Sequence, residues 1–137
     1  MVRRRDEFVL RATLAAPGRA RRLIAAACEG FDAANSEVAQ LLTSELVTNA
    51  VLHPPPSAAS GDAQVTLVVD READGLRVEV QDHDPRPVPR APRPESFRES
   101  GWGLQLVAQL SSSWGSRELP DGSGKAVWFE LRNQQSG

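Results

Sequence analysis

The 137-residue chain has one cysteine, one lysine and no long apolar run. Each scarcity excludes something. A lone Cys28 cannot form an internal disulfide and suits a reducing, cytoplasmic setting. Its place on an apolar helical stripe makes it a small core residue. Lys125 stands beside fifteen arginines, a bias that points to a GC-rich genome rather than to a mechanism. No segment approaches the roughly 18 apolar residues of a membrane span. Asp6, Glu7 and Arg11 interrupt any signal-peptide core. The formal net charge of -2 gives no bulk attraction to nucleic acid or lipid, so neither is expected as a direct partner. The basic start "MVRRRD" reads as a solvated terminus. The length fits one domain over 1–137 with a real core.

Periodicity supplies the elements. "EFVLRATL" alternates as a half-buried strand, and Pro17 suits the first turn of the helix that follows. In "GRARRLIAAACEGF", Leu23, Ile24, Ala27, Cys28 and Phe31 fall at helical spacing with arginines opposite. Asn35 or Ser36 is expected to cap a second helix running to about His53, stopped by "PPP". "QVTLVVDREADGLRVEVQD" reads as a hairpin turning at Asp74-Gly75. A proline-rich stretch of about 83–101 follows, of the length that marks a lid or binding loop. "GWGLQLVAQLSSS" reads as a helix, and "WGSRELP" with "KAVWFEL" as a closing hairpin. This order predicts an α+β two-layer sandwich.

Three polar features interrupt the apolar pattern. Glu45, Asn49 and His53 lie at i, i+4 and i+8 on one face of the second helix, in line with Val38, Leu41 and Leu42. Burying such groups unpaired costs roughly 2–7 kcal/mol even when neutral. They therefore meet internal partners, a solvent margin, or a ligand with a metal ion. Mg²⁺ takes oxygen ligands and is commonly shared with phosphates, and a Glu one turn from an Asn ligand could act as general base. Asp82 continues the inward parity of Leu76, Val78 and Val80, where its carboxylate either turns the chain or accepts from a ligand such as adenine's amino group. Gly101 and Gly103 open a helix whose first amides can hold an anion. In this order, with a lid between the second and third, the three make one nucleotide pocket.

At these residues the sequence resembles the gyrase, histidine-kinase and MutL-type ATP-binding superfamily. "ELVTNAVLH" is similar to its N box, "VEVQDHD" to its first glycine box, "GWGLQLV" to its second, and "GKAVWFEL" to its closing strand. Within it, the length and "DPRPVP" resemble stand-alone anti-sigma-factor serine/threonine kinases of the actinobacterial type. The resemblance implies a Bergerat-type fold: a mixed, mainly antiparallel sheet with three helices on one face. It implies ATP and Mg²⁺ as cofactors. Asn49 would ligate the metal, and Glu45 would be the general base toward a protein hydroxyl. Asp82 would hold adenine, and the segment Gly101, Trp102, Gly103 and Leu104 would hold phosphate. Arg98, late in the lid, could approach the γ-phosphate, and Trp102 could pack over the pocket mouth or a partner. His53 would be a structural partner at the helix end. The implied partners are a sigma factor and an antagonist protein, with a homodimer as the typical assembly.

Two departures stand out. Asp84 and Arg86 occupy glycine places of the first glycine box, with Pro85 between them. Ala126 takes the expected place of a Thr that supports adenine binding. Both favour the alternative of a nucleotide-dependent binding module without kinase activity. An α+β interaction domain that binds no nucleotide is a third reading. A histidine kinase or a topoisomerase subunit is less expected, since neither a phosphoacceptor hairpin nor a transducer domain is evident.

Overall fold

A computed structural model describes residues 4–52, 63–82, 103–120 and 124–132, without the side chains of Gly103 and Leu104. Its elements are β1 (Arg4–Arg11), α1 (Ala16–Ala27), α2 (Ala33–Leu52), β2 (Gln64–Glu72), β3 (Gly75–Asp82), α3 (Gly103–Leu110), β4 (Ser113–Glu118) and β5 (Lys125–Arg132). The strands form one sheet in the order β1-β2-β3-β5-β4. All four pairings are antiparallel, so the described sheet is not the mixed one expected. The α+β sandwich is as expected: α1 packs on β1 and β2, α2 on β3 and β5, and α3 on β4.

Strand alternation decides which face the helices cover. Leu10, Val65, Leu67, Val69, Leu76, Val78, Val80, Val127, Phe129 and Leu131 are buried on one side. Their registers agree: Leu67 lies opposite Val80, and Val80 opposite Val127. The helices close this core with Ala20, Ile24 and Cys28 of the α1 segment and Ala39, Leu42, Leu46, Val47 and Ala50 of α2. Burial pushes the Cys28 thiol pKa up, against the smaller downward pulls of a Ser36 hydrogen bond and the Arg71 charge.

The other face of the sheet has no helix among the described residues, and charged side chains seal it. Glu79 is only 5% exposed. Arg117 of β4 reaches over β5 to it with two bonds of 2.9 Å, and the Gln81 amide donates at 2.7 Å. Arg77 lies 4.2 Å above the Trp128 ring and 3.2 Å from Glu130. Gly115 leaves room for Trp128, since a Cβ there would stand 2.8 Å from the ring. Burial raises the Glu79 pKa, but the bonds from Arg117 and Gln81 and the charges of Arg117 and Arg77 outweigh it and hold the carboxyl below its ordinary value.

Four boundaries differ from the sequence reading. β1 starts at Arg4, where a solvated terminus was expected, because it pairs with β2 from that residue and its charges are met: Arg4 bonds Asp6 within the strand at 3.0 Å, and Arg5 lies 3.5 Å from Asp70 across it. It ends at Arg11, and a turn separates it from α1. α2 is capped by Asp32, whose Oδ1 accepts from the Ala34 amide, rather than by Asn35 or Ser36. The tight turn is Ala73-Asp74, and Gly75 already belongs to β3. Gly75 is needed for close approach, since a Cβ there would stand 2.7 Å from the Leu131 carbonyl oxygen.

Replacing Arg117 by Ala is expected to destabilise the fold by about 1–2 kcal/mol at pH 7, discounted for the half-exposed arginine. Glu79 is held below its ordinary pKa, so its contribution is present above the unfolded value and fades as pH falls through the folded one. Urea unfolding of the wild type and the variant should therefore converge in acid.

Candidate functional site

Topology gathers the predicted residues at one end of the sheet. The Asn35 amide donates to the Arg132 carbonyl at 2.8 Å, tying the start of α2 to the end of β5. Twenty residues of helix span about 30 Å, close to the roughly 26 Å of an eight-residue strand. The last turns of α2 therefore lie beside the start of β5, where Lys125 is opposite Asp82. The Ser112 amide donates to the Glu130 carbonyl at the far end, so α3 points its N-terminus at Gly103 toward the same place. Glu45 and Asn49 of α2, Asp82 of β3 and Gly103 of α3 thus come from three parts of the chain to one edge of the sandwich.

On α2 the two polar residues border the sealed stripe. Leu42, Thr43, Leu46, Val47 and Ala50 are buried, while Glu45 and Asn49 are half-buried, one turn apart. Their neighbours satisfy themselves locally. Ser44 donates to the Leu41 carbonyl, Thr48 to the Ser44 carbonyl, and Gln40 to the Ser36 hydroxyl. Among the described residues, neither the Glu45 carboxylate nor the Asn49 amide has a side-chain hydrogen-bond partner. Of the sources considered for this line, internal pairing is thus not found among the described residues for these two. That is how a carboxylate and an amide serving a metal-bound phosphate would have to stand.

Asp82 ends β3 with the inward parity expected, half-buried and beyond the buried Val80. Ala126 requires a correction. Its Cα partners are Gln81 and Arg117, both of which bond Glu79 on the helix-free face. Alternation therefore turns Ala126 away from Asp82, and the β5 residues sharing the Asp82 face are Lys125 and Val127. A Thr at 126 could not have supported adenine from there.

Gly101, Trp102 and Arg98 lie outside the described residues, as do His53, Asp84 and Arg86 and the lid as a whole; Gly103 and Leu104 are described only as the first residues of α3. Sequence reasoning passed over Gln105. It lies in the first turn of α3, and its amide oxygen is buried without a partner. A Gln flanked by two leucines reads as a helix margin and gives no signal. Thr43 also has a buried hydroxyl without a partner, inside the core face of α2. A surface hollow of about 160 Å³ lies at the opposite end of the sheet, lined by residues including Glu72, Asp74, Arg77 and Arg132. It is remote from Asp82 and is a feature of the β2–β3 turn.

Among the described residues no three His, Cys, Asp or Glu side chains cluster as a metal site. A metal on Asn49 would therefore share its remaining ligands with water and phosphate, as Mg²⁺ commonly does. No helix among the described residues is long and apolar enough to cross a membrane. The family model for the histidine kinase-like ATPase domain matches residues 10–131. The chain belongs to that family. Comparison with curated proteins gives no match. Membership makes ATP the expected ligand and a kinase- or ATPase-like regulatory role the general one.

Because Thr43 carries a buried hydroxyl without a partner, Thr43→Val is expected to leave the fold intact and to stabilise it by about 1 kcal/mol. Glu45→Ala and Asn49→Ala should each change stability of the ligand-free protein by less than about 1 kcal/mol. Chemical denaturation of the three variants checks both statements. A large loss at Asn49 would mean that it serves the fold.

Proposed function

We propose that the protein is an ATP- and Mg²⁺-dependent serine/threonine kinase of the anti-sigma-factor type, controlling transcription by partner switching in the cytoplasm. The observation that carries this reading is the Glu45/Asn49 pair: one turn apart, half-buried and, among the described residues, without side-chain partners, beside Ser44 and Thr48, which bond within the helix. Asn49 supplies an oxygen for Mg²⁺, which neutralises phosphate charge when bound. Glu45 accepts the proton of a serine or threonine hydroxyl on an antagonist protein as that oxygen takes the γ-phosphoryl group and ADP leaves. Asp82 receives the adenine amino group. The turn from Gly101 through Trp102, Gly103 and Leu104 offers its amides to the phosphates, and Arg98 approaches the γ-phosphate from the lid. The partners are a sigma factor and its antagonist, and the working form is a homodimer.

A second reading keeps the pocket and drops the transfer: a nucleotide-dependent binding module. Asp84 and Arg86 in glycine places of the adenine loop favour it.

Mg·ATP should raise the melting temperature, by the equivalent of about 2.7 kcal/mol at a hundredfold excess over Kd, and ATP with a chelator should not. Asn49→Ala should abolish the Mg²⁺-dependent part. Glu45→Ala should spare the shift and reduce radiolabelled phosphate transfer to an antagonist by about 10²-fold or more. Persistence of the Mg²⁺-dependent shift in Asn49→Ala would remove that residue from the site, and binding without transfer in the wild type would select the second reading.

A further inference from the structure

Ten arginines lie among the described residues; Arg132 stands alone and exposed at the end of β5, and the other nine fall into two groups. Arg4, Arg5, Arg77 and Arg117 each lie within 4 Å of an acid, and Arg71 donates to the Glu29 carbonyl and covers the Phe31 ring. Arg11, Arg19, Arg21 and Arg22 are exposed, and no acid lies within ion-pair distance of any of them among the described residues. All four belong to β1's last residue and the outer side of α1. The segment 8–28 contains no acidic residue at all, so its charge of four arginines leaves a net -6 on the rest of a chain whose total is -2.

The patch is shaped as well as charged. Leu14, in the turn between Arg11 and α1, is 84% exposed, the most exposed large hydrophobic residue described. Gly18 follows on the outer side of the helix, with a guanidinium nitrogen of Arg22 3.8 Å from where its Cβ would stand. Arg11 pairs with Gln64, and Thr66 of the same strand pairs with Gln81, next to Asp82. The basic face therefore begins at the end of the sandwich that carries Glu45, Asn49 and Asp82.

The geometry points to this face, Arg11, Leu14, Arg19, Arg21 and Arg22, as the docking surface for an acidic segment of a partner protein that seats one apolar side chain against Leu14. Charge complementarity selects the occupant: four unneutralised guanidiniums on a chain that is otherwise acidic would steer and orient an anionic surface. A protein fits better than nucleic acid, because no aromatic side chain accompanies the arginines and the apolar element projects from their midst. It fits better than a membrane, because one leucine is too little apolar area to anchor a helix in lipid. The surface stands apart from the nucleotide pocket, so its test does not depend on ATP binding.

The probe is a short synthetic helical peptide with glutamates on one face and a central leucine, titrated into ¹⁵N-labelled full-length protein. Shifts should concentrate at residues 11–23. Binding should weaken roughly three- to tenfold in the Arg19→Ala/Arg22→Ala variant. Arg4→Ala/Arg5→Ala, which removes arginines already neutralised in place, should bind as the wild type does. A peptide with Gln for every Glu should lose binding, and melting curves check that each variant folds. Equal weakening by the two double variants, shifts centred outside residues 11–23, or tighter engagement of residues 11–23 by duplex DNA or phosphatidylserine vesicles than by the peptide would each overturn the assignment.

Discussion

Helix α2 has to be two things at once. It is the middle helix of the layer, packed against α1 on one side and α3 on the other, above β3 and β5. A helix so placed should bury most of its circumference, and Ala39, Leu42, Thr43, Leu46, Val47 and Ala50 do so. Yet the margin next to that stripe carries a carboxylate and an amide. The fold tolerates them because both lie on the margin of α2 beside its buried stripe, half-buried rather than enclosed. The same length that makes α2 the pillar of the core delivers its polar residues to the rim. The margin runs the length of the helix, since Glu37, two turns before Glu45 on the same line, is exposed; a polar group one position round, on the stripe of Leu42 and Leu46, would meet the full cost of desolvation.

The opposite face of the sheet answers a different problem. An uncovered antiparallel face is normally polar by alternation. Here the polarity is organised rather than merely solvated. Along one row, Arg5, Asp70, Arg77 and Glu130 alternate in sign across four strands in register. Along the next, Glu79 is held by side chains from β3 and β4. Like charges directly opposite would push strands apart, and opposite charges resist a slip of register. Among the described residues, Arg11, Arg19, Arg21 and Arg22 form a cluster left out of this arrangement, while Arg132 stands apart at the end of β5.

Much of this was legible in the sequence, because period two and period 3.6 are local. Val78 and Val80 announce β3, and Leu23 with Ile24 announces α1. What escaped was either ambiguous locally or long-range. Three capping-type residues, Asp32, Asn35 and Ser36, stand close together, and only the contact of Asn35 with Arg132, 97 positions away, removes it from the choice. The arginine-rich start of β1 looks like a tail until Asp70 is placed beside Arg5. Glu45 and Asn49 stand out as candidates because an acid and an amide one turn apart beside leucines violate the pattern of a buried stripe. Gln105 violates nothing and stayed hidden.

Ala126 shows how a register error propagates into a functional argument. Matched to the closing strand that the chain resembles, it takes the place of a Thr that supports adenine binding. The register of β5 against β3 is a property of two strands, and it turns residue 126 to the face where Arg117 crosses toward Glu79. A small side chain there sits in the path of that arginine, and it is fully buried. The alanine thus belongs to the clamp on Glu79. The departures that bear on nucleotide affinity narrow to Asp84 and Arg86 in the loop after Asp82. Loop residues act on a ligand through backbone conformation and added charge, not through the sheet. Weakness in ATP binding would then have a local cause, at two positions of the sequence, and would leave the fold and the Glu45/Asn49 margin as they are.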